Sequence, residues 1–254
     1  MLGQIHQGSR FRNKLKEEGV DISYVVVNEG MESNLSTVIN FQGERTILVY
    51  HQVWKYDLPD LDQTHWVYFT SVSKSFTQTN LPAQLVQYLQ RTGCKLLYNP
   101  GTYQLEAGVK NYPQLLALTE LFIVNNEEAQ LILGYLESEK VEIKRLLKGI
   151  CDLGPKMAVI TDGGKGSYGF DGEKYYHLDI FPAQLVQMTG AGDAYATGVL
   201  AGLFHGNPLA EAMRWGAANG ASVVEQIGPQ AGLLTYDQMQ EKLKERSTVV
   251  AKEI

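Results

Sequence analysis

From residue 66 onwards the chain alternates short apolar strands with helices, and this alternation constrains its fold more than any other feature. The predicted strands are Trp66–Val72, Lys95–Asn99, Leu121–Val124 and Met157–Thr161. The predicted helices that connect them are Leu81–Arg91, Tyr112–Leu118, Asn125–Leu133 and Val141–Asp152. Strands joined through helices lie parallel in a sheet that helices cover on both faces. The sequence therefore predicts an α/β fold of three layers, αβα, with a mainly parallel central sheet.

The last third of the chain departs from this alternation. Asp171-Gly172 is a dipeptide typical of two-residue turns, and it predicts a hairpin of the strands Ser167–Phe170 and Lys174–Leu178. Three helices are predicted after the hairpin, at Ala191–His205, Pro208–Glu225 and Tyr236–Arg246. Asn207 is a suitable N-cap, because Pro208 then occupies the first helical position.

The beginning of the chain predicts an antiparallel appendage to the main fold. A charged helix is expected at Gln7–Glu18, followed by strands at Ile22–Asn28, Asn34–Phe41 and Arg45–Tyr50. A turn at Gln42-Gly43 would join the last two strands. We expect three parts: a core helix at 1–21, a small antiparallel β appendage at 22–52 and the α/β core at 53–254.

Composition argues against several classes of protein. The 254 residues carry a net charge of −6, whereas nucleic-acid-binding domains usually present a basic face. No apolar run approaches the ~20 residues that a membrane-spanning helix needs. Cys94 and Cys151 lack metal-binding or redox-motif spacing, so two reduced thiols in a cytoplasmic protein are expected. We expect neither a nucleic-acid partner nor a membrane segment.

The carboxyl ends of three predicted parallel strands are polar or rich in glycine. They are Asn99-Pro100-Gly101, Asn125-Asn126-Glu127-Glu128 and Thr161-Asp162-Gly163-Gly164. Ligands of open α/β sheets bind at this edge, so the three segments predict the rim of a pocket. The alternative for the first segment is a plain proline-glycine turn.

The densest chemistry lies in Met188-Thr189-Gly190-Ala191-Gly192-Asp193, where the pattern changes to helix. Gly190 and Gly192 allow backbone N–H groups to approach a ligand, and the positive end of the helix points to the same place. Asp193 would place a carboxylate beside this anion hole. Such a carboxylate can accept a proton from a hydroxyl that attacks a bound phosphoryl group. The alternative is an ordinary helix start with an acidic first turn.

Three further segments have both a functional and a structural interpretation. Gly163, Gly164 and Gly166 predict either a loop along nucleotide phosphates or a simple hairpin turn. Asn125 and Glu128 predict either a magnesium–phosphate contact or a helix N-cap with an acidic first turn. The small residues around Asn219 leave room for an adenine ring, but close helix packing explains them equally well.

Taken together, these motifs resemble the ribokinase-like family, also called the PfkB carbohydrate kinases, over nearly the whole chain. Thr189-Gly190-Ala191-Gly192-Asp193-Ala194 is similar to the family signature, in which the glycines form the anion hole and the aspartate is the catalytic base. Asn125 to Ala129 is similar to the NxxE segment of the magnesium–phosphate site, with Glu128 toward the metal.

The resemblance extends to the nucleotide site and to the appendage. Thr161, Gly163 and Gly166 match the T-x-G-x-x-G nucleotide loop, and Asn219 and Gly228 resemble the adenine wall. The strands that follow Gly19-Val20-Asp21 resemble a β lid that covers the acceptor and pairs between subunits in some relatives. The resemblance thus implies a ribokinase-like fold with a small antiparallel lid, a nucleotide-binding core and, through the lid, a homodimer.

The implied activity is transfer of the γ-phosphoryl group of MgATP to a hydroxyl of a sugar, a sugar phosphate or a nucleoside. Gln187 and Met188 stand where the family usually has an acidic residue and a threonine, so the expected use of K⁺ is open. The family's usual opening segment, which supplies much of the acceptor site, is expected to be absent. A nucleotide-binding protein without kinase activity is therefore the alternative.

Overall fold

The structure is a computed structural model that describes residues 2–3, 7–41, 44–136 and 138–254. The chain forms two compact units. The first comprises the described residues up to Asp62 together with Val72–Leu85, and the second comprises Gln63–Ser71 with Val86–Ile254. The division of the chain after residues 21 and 52 stays a prediction, because compactness alone does not define a functional domain.

The first unit contains a helix and two small sheets. Helix α1 spans Gln7–Glu17, and the short strands β1 (Leu2–Gly3) and β2 (Val27–Asn28) pair in parallel. Strands β3 (Leu35–Phe41) and β4 (Glu44–Tyr50) form an antiparallel hairpin. The predicted turn at Gln42-Gly43 lies outside the described residues.

The strand predicted at Ile22–Asn28 was too long, and only its last two residues are extended in a sheet. The Asp21 carboxylate accepts a hydrogen bond from Ser23 N at 2.9 Å, and Val25 N donates to Ile22 O at 3.0 Å. These local bonds close a turn that competes with strand pairing.

Trp54 anchors the core of the first unit and is only 2% exposed. Its backbone N–H donates to Ser75 Oγ at 3.0 Å, and Ser75 Oγ donates back to Trp54 O at 2.8 Å. The indole Nε1 donates to Asn34 Oδ1 at 3.0 Å. These bonds satisfy the polar groups that the buried ring brings into the core.

The second unit is built on a seven-stranded sheet in the order β11-β10-β9-β8-β7-β6-β5. Its strands are β5 (Trp66–Phe69), β6 (Lys95–Tyr98), β7 (Thr119–Asn125), β8 (Met157–Thr161), β9 (Ser167–Phe170), β10 (Tyr175–Leu178) and β11 (Lys252–Glu253). The four strands β5 to β8 are parallel, and the remaining pairings are antiparallel. The predicted α/β class with a mainly parallel central sheet is confirmed.

Helices flank this sheet. They are α2 (Leu81–Thr92), α3 (Thr102–Ala107), α4 (Pro113–Ala117), α5 (Asn126–Leu133), α6 (Ile143–Asp152), α7 (Ala191–Phe204), α8 (Leu209–Val224) and α9 (Tyr236–Glu245). On one face, Tyr195, Val199 and Met213 of α7 and α8 pack against Leu97 and Val159 of the strands. In the described part of the chain, no helix is long and apolar enough to cross a membrane.

Several ends of these elements differ from expectation, among them that of β5, which ends at Phe69 and not at the predicted Val72. Pro208, in extended conformation, is the N-cap of α8, and Asn207 instead donates its side-chain Nδ2 to Gly202 O at 3.0 Å. The two-residue strand β11 was not predicted, because so short a segment has no periodicity. Just before β11, Val249 O accepts a 2.6 Å hydrogen bond from Arg214 Nε of α8.

Helices α7 and α8 approach each other closely because glycines face the contact. A Cβ at Gly198 would lie 2.7 Å from Trp215 O and 2.9 Å from Gly216 Cα. A Cβ at Gly202 would lie 2.7 Å from Ala212 Cα. Since these neighbours are backbone atoms, any side chain at either position must push the helices apart.

We expect Gly198→Ala to lower the free energy of unfolding by about 1–3 kcal/mol, because overpacking outweighs the ~1 kcal/mol gain in helix propensity. Gly164→Ala is the matched control, since no atom lies within 4 Å of its Cβ position. The control should change stability by less than about 0.5 kcal/mol. Urea unfolding measures both, and equal stability of the two variants would contradict the close-packing argument.

Candidate active site

The start of α7, where the sequence predicts an anion hole, begins at a glycine in an unusual backbone conformation. Gly190 is the N-cap of α7 in the left-handed region, with φ +86° and ψ −6°. A Cβ there would lie 2.6 Å from Pro229 Cβ and 2.7 Å from Pro229 Cα, so only glycine fits. Both the backbone conformation and the available space therefore specify Gly190.

Gly192 leaves the backbone of this turn open, because no atom lies within 4 Å of its Cβ position. The first N–H groups of a helix have no acceptor within the helix, and they carry its positive partial charge. Of the predicted anion-hole residues, Ala191 uses its N–H in a 3.3 Å bond to Met188 O. The open surface at Gly192 and Asp193 is thus the part of the turn that can receive an anion.

Asp193 lies in the first turn of α7 with its side chain exposed to solvent. Surrounding protein atoms still displace part of its hydration, and this desolvation raises the pKa of the carboxyl above its ordinary value. Within the described residues, no hydrogen bond or ion pair engages this carboxylate. It is therefore available to a ligand and can accept a proton.

A chain of polar groups lies at the carboxyl ends of β5, β6 and β7, near Asp193. Tyr68 OH donates to Asn99 Oδ1 at 3.1 Å, and Asn99 Nδ2 donates to Ile123 O at 2.8 Å. Burial raises the pKa of Tyr68 to about 12, and the charge of Asp193 adds to the effect. Sequence reasoning missed Tyr68, because it reads as one more aromatic residue in an apolar strand.

Asn125 and Glu128 form a reciprocal capping box at the start of α5. Glu128 N donates to Asn125 Oδ1 at 2.8 Å, and Asn125 N donates to Glu128 Oε2 at 2.9 Å. Burial is the main cause that raises the pKa of Glu128. The structural alternative that the sequence left open is therefore present, and Glu128 Oε1 is the oxygen that the cap does not use.

The predicted nucleotide loop is a single 3₁₀ turn, Gly163–Lys165, between β8 and β9. Asp162 N donates to Gly166 O at 2.9 Å, which closes the loop. Gly163 has φ +50° and Gly166 has φ +85°, so glycine is favoured at both positions. No atom lies within 4 Å of the Cβ positions of Gly163 and Gly164, and their backbone is accessible to a ligand.

The sheet brings the predicted magnesium–phosphate and nucleotide segments together. Asn125 at the end of β7 is in register with Thr161 at the end of β8, and Thr161 is in register with Ser167 of β9. Ser167 Oγ accepts a 2.8 Å hydrogen bond from Tyr195 OH, two residues after Asp193. The strand register and this buried hydrogen bond therefore connect the Asn125 segment, the loop after Thr161 and the helix that carries Asp193.

The two residues predicted at the adenine wall have different surroundings. Asn219 is 5% exposed, donates Nδ2 to Ala194 O at 2.8 Å and accepts from Leu234 N at 3.0 Å. Gly228 has φ +101°, and its Cβ position is open. Nucleotide contact by Asn219 stays a prediction, but its polar groups already serve the backbone of the protein.

Comparisons with known proteins agree with this architecture. The sequence profile described as "pfkB family carbohydrate kinase" matches residues 1–235. An uncharacterised sugar kinase of Archaeoglobus fulgidus is 23% identical over 240 residues, covering 91% of this chain and 92% of the relative. The 5-dehydro-2-deoxygluconokinase of Geobacillus thermodenitrificans is 28% identical over 250 residues, covering 89% and 72%.

Solved structures show the same fold. Arabidopsis thaliana ribokinase, complexed with ribose and ATP, has a TM-score of 0.80 at 22% identity, covering 96% of this chain and 80% of that chain. Burkholderia thailandensis nucleoside kinase, in complex with inosine, has a TM-score of 0.76 at 18% identity, covering 97% and 80%. The predicted three-layer fold is confirmed by these matches.

The capping box leads to a test that separates structure from chemistry. We expect Asn125→Ala to lower the free energy of unfolding by about 1 kcal/mol, because the N-cap bond is lost. Glu128→Gln should stay within about 0.5 kcal/mol of wild type, since glutamine completes the same box. Denaturant unfolding at neutral pH measures both changes.

The stability difference between wild type and Glu128→Gln should depend on pH. A pKa raised in the folded state means that the folded wild type binds more protons than the unfolded chain at acidic pH. Wild type should therefore gain stability relative to Glu128→Gln as the pH falls through the raised pKa of Glu128. An equal loss of stability in Glu128→Gln and Asn125→Ala would contradict the capping-box argument.

Proposed function

Because the chain belongs to the pfkB family of carbohydrate kinases, and hence to the phosphotransferases with an alcohol acceptor, we propose that Asp193 is its general base. In this proposal Asp193 takes the proton of an acceptor hydroxyl as that oxygen attacks the γ-phosphoryl group of ATP. The observation that carries the proposal is an unpartnered carboxylate beside the open helix N-terminus at Gly192.

Gly190, Ala191 and Gly192 supply the anion hole in this mechanism. The backbone N–H groups at the start of α7 stabilise the negative charge that develops on the transferring phosphoryl oxygens. Gly190, in the left-handed region and packed against Pro229, fixes the start of the turn. The Ala191 N–H, which donates to Met188 O at 3.3 Å, would exchange that bond for a phosphoryl oxygen. The loss of one such donor typically raises the barrier by about 2.7–4 kcal/mol.

The nucleotide is proposed to bind along the carboxyl ends of β7 and β8. Thr161, Gly163 and Gly166 form the loop for the phosphates, with Asn125 next to Thr161 and Gly228 at the adenine. The open backbone at Gly163 supports this assignment. Asn219 was predicted at the adenine wall, but its geometry favours a structural task instead.

Magnesium is proposed to bind beside Glu128. Within the described residues, no group of three or more His, Cys, Asp or Glu side chains is arranged to hold a metal ion. Mg²⁺ in kinases needs few protein carboxylates, because nucleotide phosphates and waters complete its shell. Glu128 Oε1 fits this limited role, and the bound ion would neutralise charge on the phosphates.

The residues present do not fit a monovalent cation held by a carboxylate near Gln187. The Gln187 amide is neutral, and both of its polar groups are engaged, with Thr189 Oγ1 at 3.2 Å and Gly228 N at 2.8 Å. No step of the proposed mechanism passes through K⁺.

The acceptor is proposed to be a sugar, a sugar phosphate or a nucleoside. Relatives and structural neighbours are named as a 5-dehydro-2-deoxygluconokinase, a cytidine kinase and a ribokinase, and these names support a sugar-like acceptor or a nucleoside. The chain is proposed to work in the cytoplasm, where ATP is available and thiols stay reduced. Cys94 and Cys151 are free, which agrees with that compartment.

Asp193→Asn tests the proposed base. We expect kcat to fall at least ~100-fold, because the amide cannot accept the proton, while the Kd for ATP stays within about two-fold. The assay couples ADP release to a panel of sugars, sugar phosphates and nucleosides, and calorimetry gives the Kd. Asp179→Asn, which removes an exposed carboxylate elsewhere, is the control and should keep wild-type turnover.

The pH profile adds a second criterion. Since desolvation raises the pKa of Asp193, wild-type kcat should fall as the pH is lowered through that pKa, and Asp193→Asn should lack this limb. Normal turnover of Asp193→Asn would refute the assignment of Asp193 as the general base. ATP binding by a wild type that phosphorylates no acceptor would instead favour the nucleotide-binding alternative.

A homodimer through the β3–β4 hairpin is the second part of the proposal. Leu35, Ile39, Leu48 and Tyr50 share one face, because residues directly opposite in a hairpin point the same way. Each of the four is 45–57% exposed. An isolated two-stranded hairpin is at best marginally stable in water, and a second copy of the same apolar face would cover it.

Leu48→Glu tests the proposed dimer. A charge in the middle of the apolar face should convert a wild-type dimer into monomers in sedimentation velocity, because an unpaired charge would be buried at the interface. Ser36→Glu places the same charge on the opposite face of the hairpin and should leave the dimer intact. A monomeric wild type, or a dimeric Leu48→Glu variant, would refute the interface.

A further inference from the structure

The segment Gly228–Leu234 is fastened to the turn that carries Asp193. Gln187, which precedes the turn, accepts a hydrogen bond from Gly228 N on Oε1 at 2.8 Å. Its Nε2 donates to Thr189 Oγ1 at 3.2 Å. One side-chain amide therefore links the entry to the turn with a segment about 40 residues later in the chain.

A second amide fastens the other side of the turn. Asn219 of α8 donates Nδ2 to Ala194 O, the carbonyl that directly follows Asp193, and accepts from Leu234 N. Asn219 is almost fully buried, so both bonds are shielded from competing water. Between these two links, Pro229 lies against Gly190, as described above.

The hydrogen bonds of Gln187 and Asn219 matter for the proposed reaction because of the way in which Asp193 is held. Catalytic bases are commonly oriented by a third group that holds their side chain. Within the described residues, the Asp193 carboxylate has no such partner. Its position is therefore set by the backbone of the first turn of α7, and that backbone is what Gln187, Pro229 and Asn219 hold.

We propose that Gln187 and Asn219 are positioning residues that hold the backbone of Asp193 in register with the anion hole. The inference rests on the proposed role of Asp193 as base. It assigns Asn219 to the support of the turn instead of to the nucleotide. It also gives a task to Gln187, which the sequence identified only as a departure from the family pattern.

Gln187→Met and Asn219→Ala remove the links. We expect kcat to fall about ten-fold or more in each, because small displacements of a reacting group are costly, while the KM for ATP changes less than about two-fold. The acid limb of the kcat profile should also shift, since the surroundings of Asp193 change. Gln187→Glu keeps an acceptor for Gly228 N and accepts from Thr189 Oγ1, so it should restore kcat to within about two-fold of wild type.

Asn207→Ala is the matched control. It also removes a side-chain amide bond to a carbonyl of α7, but at the opposite end of the helix, at Gly202. We expect it to leave kcat and the pH profile unchanged. Unchanged kcat in Gln187→Met and Asn219→Ala would overturn the inference, as would a rise in the KM for ATP alone, which would make Asn219 a nucleotide ligand.

Hydrogen exchange keeps this test separate from that of the proposed function. Peptides that cover residues 188–198 should exchange faster in Gln187→Met and Asn219→Ala than in Asn207→Ala, because the turn opens more often without its links. A wild type without any turnover would refute the proposed function. Even then, the exchange rates would show whether Gln187 and Asn219 hold the turn. Equal exchange in all three variants would overturn the inference.

Discussion

Gly190 takes a left-handed conformation against Pro229, and this single close contact fixes where α7 begins. The position of the first turn decides where the unpaired N–H groups and the Asp193 carboxylate lie. Further along the same helix, Gly198 and Gly202 allow α8 to pack against its backbone. Small residues therefore serve two purposes in α7, a ligand-accessible start and a tightly packed remainder, and the second keeps the first in place.

The candidate site contains two carboxyl groups, those of Asp193 and Glu128, whose pKa values desolvation raises. The charged forms of these carboxylates are therefore less stable than they would be in water. Glu128 regains part of this cost by capping α5, whereas Asp193 has no compensating hydrogen bond within the described residues. An acidic residue in the first turn is in itself favoured by the helix dipole, so the distinctive feature of Asp193 is the combination of a raised pKa with a carboxylate that has no partner within the described residues.

The sequence predicted the central sheet well because buried parallel strands are continuous apolar runs. The parallel strand Met157–Thr161 has the predicted bounds, and so does the antiparallel strand Ser167–Phe170, which the Asp171-Gly172 turn indicated. The helix starts at Leu81, Ala191 and Tyr236 were also correct. Local side-chain bonds explain the errors, since the Asp21 turn shortened one strand and Asn207 bonded to Gly202. The links made by Gln187 and Asn219 join residues 15 to 41 positions apart, and local sequence patterns contain no signal for such contacts.

The relation between the proposed base and the proposed nucleotide loop follows from one buried contact. Tyr195 OH donates to Ser167 Oγ, and Ser167 is in register with Thr161, where the loop begins. Ser167 is 2% exposed, and Tyr195 is buried among the apolar residues of α7 and the sheet. A hydrogen bond in such surroundings is strong and does not exchange with water, so the helix and the hairpin cannot slide independently. The distance between the proposed base and the proposed phosphate loop is thereby set in the core of the second unit, and the surface of the turn at Gly192 stays open.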